Sequence, residues 1–367
     1  MRGVAVLGST GSIGRSTLAV LRRHPARFRV VALTARADSA GLASQVAEWA
    51  PAIAGLADGA TASGAELLTA AATDARVDIV VNAIVGAAGL DATLAALAAG
   101  KRVALANKES LVMAGELVLE AARVGGGEVV PIDSEHSAVL QCMGGCGAPV
   151  SRVTLTASGG PFRDWDTDRM ASATVEEALR HPTWRMGRKI SVDSATLANK
   201  ALELIEAHHL FGLPYDALGA VIHPQSIVHA LVEFGDGSVV AQLGFPSMEL
   251  PILYALTHPD RLPDQGIRRF DPLAAGPLTF EPVEVERFAA YRAGLEAGRA
   301  GGTAPAVFNA ANEEAVAAFL AGTIPFGRIG QLVSDTVGAH DPRPASDLDT
   351  VRAADCWARR QVRERAA

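Results

Sequence analysis

Residues 6–21, VLGSTGSIGRSTLAVL, place Gly8, Gly11 and Gly14 three apart between an apolar run and the start of a helical pattern. A glycine-rich turn at that place lets the backbone approach a pyrophosphate, and the helix N-terminus behind it supplies N–H groups and partial positive charge. The spacing is G-x-x-G-x-x-G rather than G-x-G-x-x-G, so position after a strand carries the argument more than the letters do. A plain tight turn would show the same residues. An NAD site would place Asp or Glu at the end of the second strand for the ribose hydroxyls. Here VVALTARADSA offers Arg36 first, with Asp38 two residues on. An arginine there can pair with a 2′-phosphate and favours NADP; a solvated surface arginine is the plainer alternative.

VVPIDSEHSAV sets Asp133 and Glu135 at the end of a buried strand, two apart. In an extended segment residues i and i+2 point the same way, and two anions side by side need a cation or a proton. Hard oxygen ligands without Cys suggest Mg²⁺ or Mn²⁺. On spacing alone, an exposed acidic turn looks the same. In SVDSATLANKALELIEAHHL, Ser194 stands where a helix should begin, and Asn199, Lys200 and Glu203 follow within it. Asn199 and Glu203, at i and i+4, share a face. Amide, ammonium and carboxylate in one turn can bind a polar, anionic substrate beside a metal, or form a solvated helix face. LTASGGPF ends a strand with Ser158, Gly159 and Gly160, a hydroxyl beside bare N–H groups and a candidate anion nest. HPTWRMG holds His181 and Trp184 between Pro and Gly, a composition that fits a mobile lid or a fixed aromatic loop.

The elements that must position these residues alternate over the first 130 positions. Val4–Leu7, Arg29–Leu33, Ile79–Ala83, Val103–Ala106 and Glu128–Ile132 are short apolar runs, with helical patterns such as Thr17–His24 and Asp91–Ala99 between them. Continuous apolar strands alternating with helices predict a parallel sheet covered on both faces. Strands Arg152–Thr156 and Ser238–Gly244 and an amphipathic helix Thr196–Phe211 predict a mixed α/β region next. A Pro-rich connection, His258–Pro282, leads to four helical segments, Val283–Arg299, Ala304–Leu320, Pro325–Val337 and Ala345–Arg365, short-looped enough for a small bundle.

At 367 residues the chain exceeds one ordinary core, and 49% hydrophobic with 20% charged residues fits a packed globular protein. A formal charge of −7 without a basic block argues against nucleic-acid and anionic-membrane partners. Cys142, Cys146 and Cys356 are too few for a disulfide framework, and no ligand set accompanies the Cys142–Cys146 spacing, so all three are expected as reduced thiols. The first strand begins almost at once, leaving no room for a targeting peptide, and no apolar run approaches a membrane span; a cytoplasmic protein is expected.

Taken in order, GSTGSIG, NAIVGAAGL, ANKESLV, PIDSEHSA, ASGGPFR, HPTWRMG, KISVDSATLANKALE, HPQSIVH and FNAANEEAV are far more specific than any one of them. Together they resemble the 1-deoxy-D-xylulose 5-phosphate reductoisomerase family from the first strand to the helical tail. The resemblance implies an α/β fold in three parts: a Rossmann-like parallel-sheet NADPH-binding domain over 1–133, and a mixed α/β catalytic and dimerisation domain over 134–257. A linker over 258–281 and a C-terminal helical bundle over 282–367 complete it. It implies isomerisation by a retro-aldol and aldol sequence, then NADPH-dependent reduction, of 1-deoxy-D-xylulose 5-phosphate to 2-C-methyl-D-erythritol 4-phosphate. This is the committed step of non-mevalonate isoprenoid synthesis.

Carried over residue by residue, the resemblance implies divalent-metal ligands at Asp133, Glu135 and Glu203. It implies substrate contacts at Ser134, Ser158, His181, Trp184, Ser194, Asn199 and Lys200, the phosphate falling to Ser158, Ser194 and Asn199. Lys108, Glu135, Lys200, His181 and His229 are the implied catalytic groups, and His181 and Trp184 belong to a flap that closes on substrate. Cofactor contacts are implied at Gly8, Thr10, Gly11, Ser12, Ile13, Arg36, Ala83, Asn107 and Glu109. A small phosphorylated sugar and a second copy of the chain are the implied partners. The chain departs from the family pattern at Ser247 (commonly Asp), Ala201 (commonly Gly), His208–His209 (commonly an aromatic pair) and TARADS. Two other functions remain to be separated by experiment: a simple NADP-dependent sugar-phosphate or semialdehyde dehydrogenase, and a catalytically silent nucleotide sensor.

Overall fold

The computed structural model describes residues 1–58, 61–144 and 148–366. Cys146 lies outside them; Cys142, buried, and Cys356, exposed, are in no disulfide. The chain forms two compact units, one of Met1–Ser110, Gly115–Leu140 and Ser247–Arg269, the other of Leu111–Ala114, Gln141–Pro246 and Phe270–Ala367.

The first unit alternates β1 (Arg2–Leu7), α1 (Ser12–Arg23), β2 (Phe28–Ala35), α2 (Ser39–Trp49), β3 (Ile53–Leu56), α3 (Ala62–Thr73), β4 (Ile79–Asn82), α4 (Leu90–Ala98), β5 (Arg102–Leu105), α5 (Lys108–Gly125), β6 (Glu128–Pro131) and α6 (Ser134–Met143). Its six strands are parallel in the order β3-β2-β1-β4-β5-β6, the doubly wound topology expected from the alternation. The central strands are buried on both faces, which is why their sequences are continuous apolar runs rather than alternating ones. Strand order reverses between β1 and β4, so the carboxyl ends of those strands open onto the place where this topology takes a ligand.

In the second unit follow β7 (Val150–Ala157), the short helices α7 (Thr167–Ala171) and α8 (Val175–Ala178), α9 (Arg188–Ala195), α10 (Ala198–Phe211), β8 (Leu218–Ile222), β9 (Val228–Phe234) and β10 (Val239–Leu243). The chain then returns to the first unit with α11 (Glu249–Thr257), whose Ile252, Leu253 and Leu256 join the core of β1, α1 and β4. Arg23 fastens this return, bonding Asp264 at 2.8 and 2.9 Å and Glu249 at 2.8 Å. Ser247 Oγ accepts from the Glu249 N–H at 3.2 Å. Serine satisfies a helix start as well as aspartate does, which accounts for the departure at this position.

Next come α12 (Pro272–Ala275), β11 (Glu281–Pro282), α13 (Ala289–Ala300), α14 (Ala304–Leu320), α15 (Phe326–Gly338) and α16 (Leu348–Ala366). The mixed sheet runs β10-β9-β7-β8-β11, parallel only between β7 and β8. The Pro-rich connection carries little regular structure, as expected, and α14 packs against α13, α15 and α16 in the predicted bundle. Among the described residues no helix is long and apolar enough to cross a membrane.

Ala201 and His208 also have local partners. A Cβ on Gly294 of α13 would sit 2.5 Å from the Ala201 methyl, so the absence of a side chain there makes room for alanine in place of glycine. His208 stacks on Tyr215 with centroids 4.5 Å apart and bonds the Leu213 carbonyl at 2.7 Å, keeping a flat ring where an aromatic residue is common.

In the bundle, Arg359 of α16 bonds Asp355 at 2.8 and 2.9 Å and Glu313 of α14 at 2.8 Å, and Arg363 bonds Glu314 at 2.7 Å. Burial alone would raise the Glu314 carboxyl, but Arg363 and Arg359 outweigh it and hold it below the ordinary carboxylate range. Its charge therefore stabilises the fold above the unfolded value near 4.5, and that contribution is lost as the pH falls through the lower folded value. Glu314→Gln is expected to cost roughly 1 kcal/mol at pH 7. Thermal unfolding at pH 7 and pH 3 checks it: the deficit should shrink at pH 3, and an equal deficit at both would refute the charge assignment.

Candidate active site

The phosphate loop joins β1 to α1. Gly8 has φ +83, and a Cβ there would lie 2.6 Å from the Ala83 carbonyl oxygen, so only glycine lets the loop pass the end of β4. Gly11 is the N-cap of α1 and has no side chain to occupy the helix's first N–H groups, while Gly14 lies flat against the backbone of Gly8 and Ser9. The turn is fixed from beneath: the N–H groups of Gly8 and Ser9 both donate to the Thr34 carbonyl, at 3.0 and 2.8 Å. Ser9 Oγ donates to Gln45 Oε1 at 2.7 Å, and Gln45 Nε2 returns a bond to the Ser9 carbonyl at 3.0 Å. Thr10 follows in the turn, and Ser12 and Ile13 open α1.

Arg36 projects into solvent just past β2, its guanidinium 3.6 Å from Asp58. Asp38 is already engaged: it accepts from the Gly41 N–H at 2.9 Å as the cap of α2, and Arg15 lies 3.3 Å from its other oxygen. At the ends of β4 and β5, Asn107 is a buried hub. Its Nδ2 donates to the carbonyls of Ile84 and Gly86, both at 2.8 Å, and to Glu109 at 3.1 Å, while its Oδ1 accepts from the Ser110 N–H at 3.1 Å. One side chain thus sets the loop after β4, beside Ala83.

Asp133 and Glu135 are not on an extended segment, as their spacing suggested. Strand β6 stops at Pro131 and α6 starts at Ser134, so Asp133 stands at the helix entrance and Glu135 in its first turn. The Asp133 Oδ1 accepts from the Glu135 N–H at 3.3 Å, and its carbonyl accepts from the Ser137 N–H at 2.8 Å. The helix start brings the two carboxylates together, where strand alternation was expected to. Ser134 Oγ donates to Glu135 at 2.6 Å. Lys108 Nζ donates to Asp133 Oδ2 at 2.8 Å, and His136 Nδ1 lies 3.3 Å from Oδ1. Burial would push the Asp133 carboxyl up; Lys108 and His136 reverse that and hold it well below the ordinary range. His136 and Gln45 are supporting residues that no motif or spacing marked.

In the second unit, Ser194 does not begin a helix. It lies in the last turn of α9, which ends at Ala195; Leu197 then adopts a left-handed conformation, φ +55, before α10 starts at Ala198. Asn199, Lys200 and Glu203 then share the first turns of α10, where Asn199 Nδ2 and Lys200 Nζ both donate to the Glu203 carboxylate. Glu203 is 1% exposed and Lys200 3%, so this is no solvated helix face. A carboxylate so placed is shut off from water and depends on these two donors.

Ser158 Oγ is 2.9 Å from His181 Nε2 and accepts from the Gly160 N–H at 3.2 Å. His181 Nδ1 accepts from the N–H groups of Thr183 and Trp184, at 3.1 and 2.8 Å, so the ring proton sits on Nε2 and points to Ser158. Burial lowers the imidazole to about 4. The loop is therefore tied through one neutral ring. Trp184 faces His229, centroids 6.4 Å apart, and Thr156 Oγ1 holds the His229 carbonyl at 3.0 Å.

Three family descriptions match along the chain: 1-deoxy-D-xylulose 5-phosphate reductoisomerase over residues 4–115, its C-terminal domain over 129–211, and a DXP reductoisomerase C-terminal domain over 243–361. Relatives of that name from Ralstonia pickettii and Moorella thermoacetica are each 50% identical, covering 99% and 98% of this chain and 96% and 97% of their own lengths. A solved DOX-P reductoisomerase in complex with NADPH, fosmidomycin and magnesium is 40% identical with a TM-score of 0.93, over 100% of this chain and 98% of that one. The Zymomonas mobilis enzyme in complex with NADPH is 43% identical with a TM-score of 0.90, over 100% and 99%. Motif order, site chemistry and whole-length similarity agree, and the chain belongs to the 1-deoxy-D-xylulose 5-phosphate reductoisomerase family.

Proposed function

We infer that this chain isomerises 1-deoxy-D-xylulose 5-phosphate and reduces the product to 2-C-methyl-D-erythritol 4-phosphate, using NADPH and a divalent cation, Mg²⁺ or Mn²⁺. The observation that supports the site assignment is the pair of carboxylates each set against a buried lysine, Asp133 against Lys108 and Glu203 against Lys200. With Glu135 they give three hard oxygen ligands of the kind Mg²⁺ and Mn²⁺ take. When bound, such an ion polarises the substrate's ketone and stabilises the negative charge that develops. NADPH, when bound at the Gly8–Ile13 loop, supplies the hydride, with Arg36 on its 2′-phosphate and Asn107 and Glu109 toward the nicotinamide.

The remaining work falls to the chain's own groups. Ser158, Ser194 and Asn199 hold the phosphate, a remote anchor whose binding energy orients the reacting carbons. Ser134, Asn199 and Lys200 bind the hydroxyls. Carbon–carbon cleavage and re-formation need protons removed and returned at oxygen, and Lys108, Glu135 and Lys200 are the groups placed to move them. His181, Trp184 and His229 cover the substrate and exclude water from the aldehyde before reduction. A division into NADPH-binding (1–133), catalytic and dimerisation (134–257), linker (258–281) and bundle (282–367) segments goes with this assignment, as do a homodimer and a cytoplasmic setting.

The assay that tests the function is NADPH absorbance decay with 1-deoxy-D-xylulose 5-phosphate and Mg²⁺, run with and without EDTA. Decay should need the metal; decay that survives chelation would point to a simple dehydrogenase instead. Glu203→Gln should lower kcat by roughly 10²–10³-fold while NADPH affinity stays nearly intact. Lost cofactor binding with unchanged turnover of bound substrate would refute the ligand role.

Arg36→Ala should reduce the NADPH-over-NADH ratio of kcat/KM by roughly tenfold, the worth of one charge-assisted contact. An unchanged ratio moves the 2′-phosphate contact elsewhere.

The His181 ring should titrate near pH 4, read by ring-nitrogen NMR. Because its folded value lies below 6.5, the loop order it provides is complete above that pH and is lost as the pH falls toward 4. A ring that charges near 6.5 would mean that the Ser158–His181–Trp184 bonds do not persist in solution.

A further inference from the structure

The motif FNAANEEAV lies on α14, and the assignment above gives it no task. Asn312 on that helix is fully buried, and its Nδ2 donates to Asp193 Oδ1 at 2.7 Å. The second oxygen of Asp193 is 3.1 Å from Lys189 Nζ, one turn back along α9. Asp193 is 1% exposed, so its charge depends on protein partners for its solvation. The next residue in the chain is Ser194. Its carbonyl oxygen would lie 2.5 Å from a Cβ on Gly160, so the end of α9 and the Ser158–Gly160 turn are packed as one piece.

These facts place a buried carboxylate one residue from a serine assigned to a phosphate dianion. Successive side chains on a helix are about 100° apart, so Asp193 can face α14 while Ser194 faces away from it. An unneutralised carboxylate there would repel the dianion through an interior that screens poorly. Lys189 cancels that charge, and the Asn312 amide fixes the carboxylate so that the cancellation keeps its geometry. We propose that Lys189 and Asn312 are positioning residues for phosphate recognition: through Asp193 they present Ser194 on α9 in a locally neutral setting. The inference rests on the assignment of Ser158 and Ser194 to the phosphate.

The test is steady-state kinetics of the full-length protein with 1-deoxy-D-xylulose 5-phosphate, alongside NADPH affinity and thermal unfolding. Lys189→Met should raise KM by about tenfold or more, with kcat and NADPH affinity within about twofold of wild type. The double variant Lys189→Met/Asp193→Asn removes both charges and keeps an acceptor for Asn312; it should recover most of the lost affinity. Asn312→Leu should also raise KM. A merely structural role would lower kcat, NADPH affinity and melting temperature together, and the neutral double would be no better than the single variant; either result overturns the proposal. Where Lys189→Met does not fold, Lys189→Gln, which keeps a hydrogen bond but not the charge, makes the same test. Ser194→Ala separates the two layers. If it leaves KM unchanged, the phosphate assignment falls and the proposal with it; if it raises KM while the Lys189 variants do not, the proposal alone falls.

Discussion

Asp133, Glu203 and Asp193 have little access to water, and each stands against its own ammonium. Removing one partner from such a pair typically costs about 3–5 kcal/mol, because the other charge is left uncompensated. Asp133 and Glu203 meet that constraint in the same local way. Each is served by a lysine that directly follows an asparagine at a helix start: Asn107–Lys108 at the head of α5, Asn199–Lys200 in the first turn of α10. In both places the amide also bonds a carboxylate, Glu109 in the first case and Glu203 in the second. At both places the same pair of residue types, an amide and the ammonium next to it, is brought to a helix start to meet an acid.

The scaffold that delivers these groups was largely legible. Parallel strands buried on both faces have no option but to be continuously apolar, so β1, β4 and β5 announce themselves, and the glycines at 8 and 14 mark a turn no other residue could occupy. What failed was the passage between elements. Asp133 and Glu135 follow an apolar run and look like its continuation, yet Pro131 ends β6 and Asp133 opens a helix whose first turn reads polar. Ser194 has the residue type of a helix start, and the true break falls at Leu197, a side chain that nothing local marks for a left-handed conformation. Both errors concern junctions, where a single residue's backbone state decides the direction of the next element.

A second class of feature was invisible for a different reason. Ser9 and Gln45 exchange two hydrogen bonds across 36 residues, and Asn312 reaches Asp193 across 119. Periodicity shows which face of a helix is buried and says nothing of which polar group it meets there. Resemblance to a family located the residues expected to touch ligands; the groups that hold those residues in place appear only in three dimensions.

The departures from the family pattern sort along the same line. Ser247 accepts from the Glu249 N–H ahead of α11, Ala201 lies where Gly294 leaves room, and His208 stacks on Tyr215, each answered by a partner in its own unit. None falls at a residue assigned to the metal, the phosphate or the glycine loop. A packing contact can be exchanged for another of similar shape at a small cost, because many atoms share it. A buried charge has one or two partners, and substituting it requires those partners to change at the same moment.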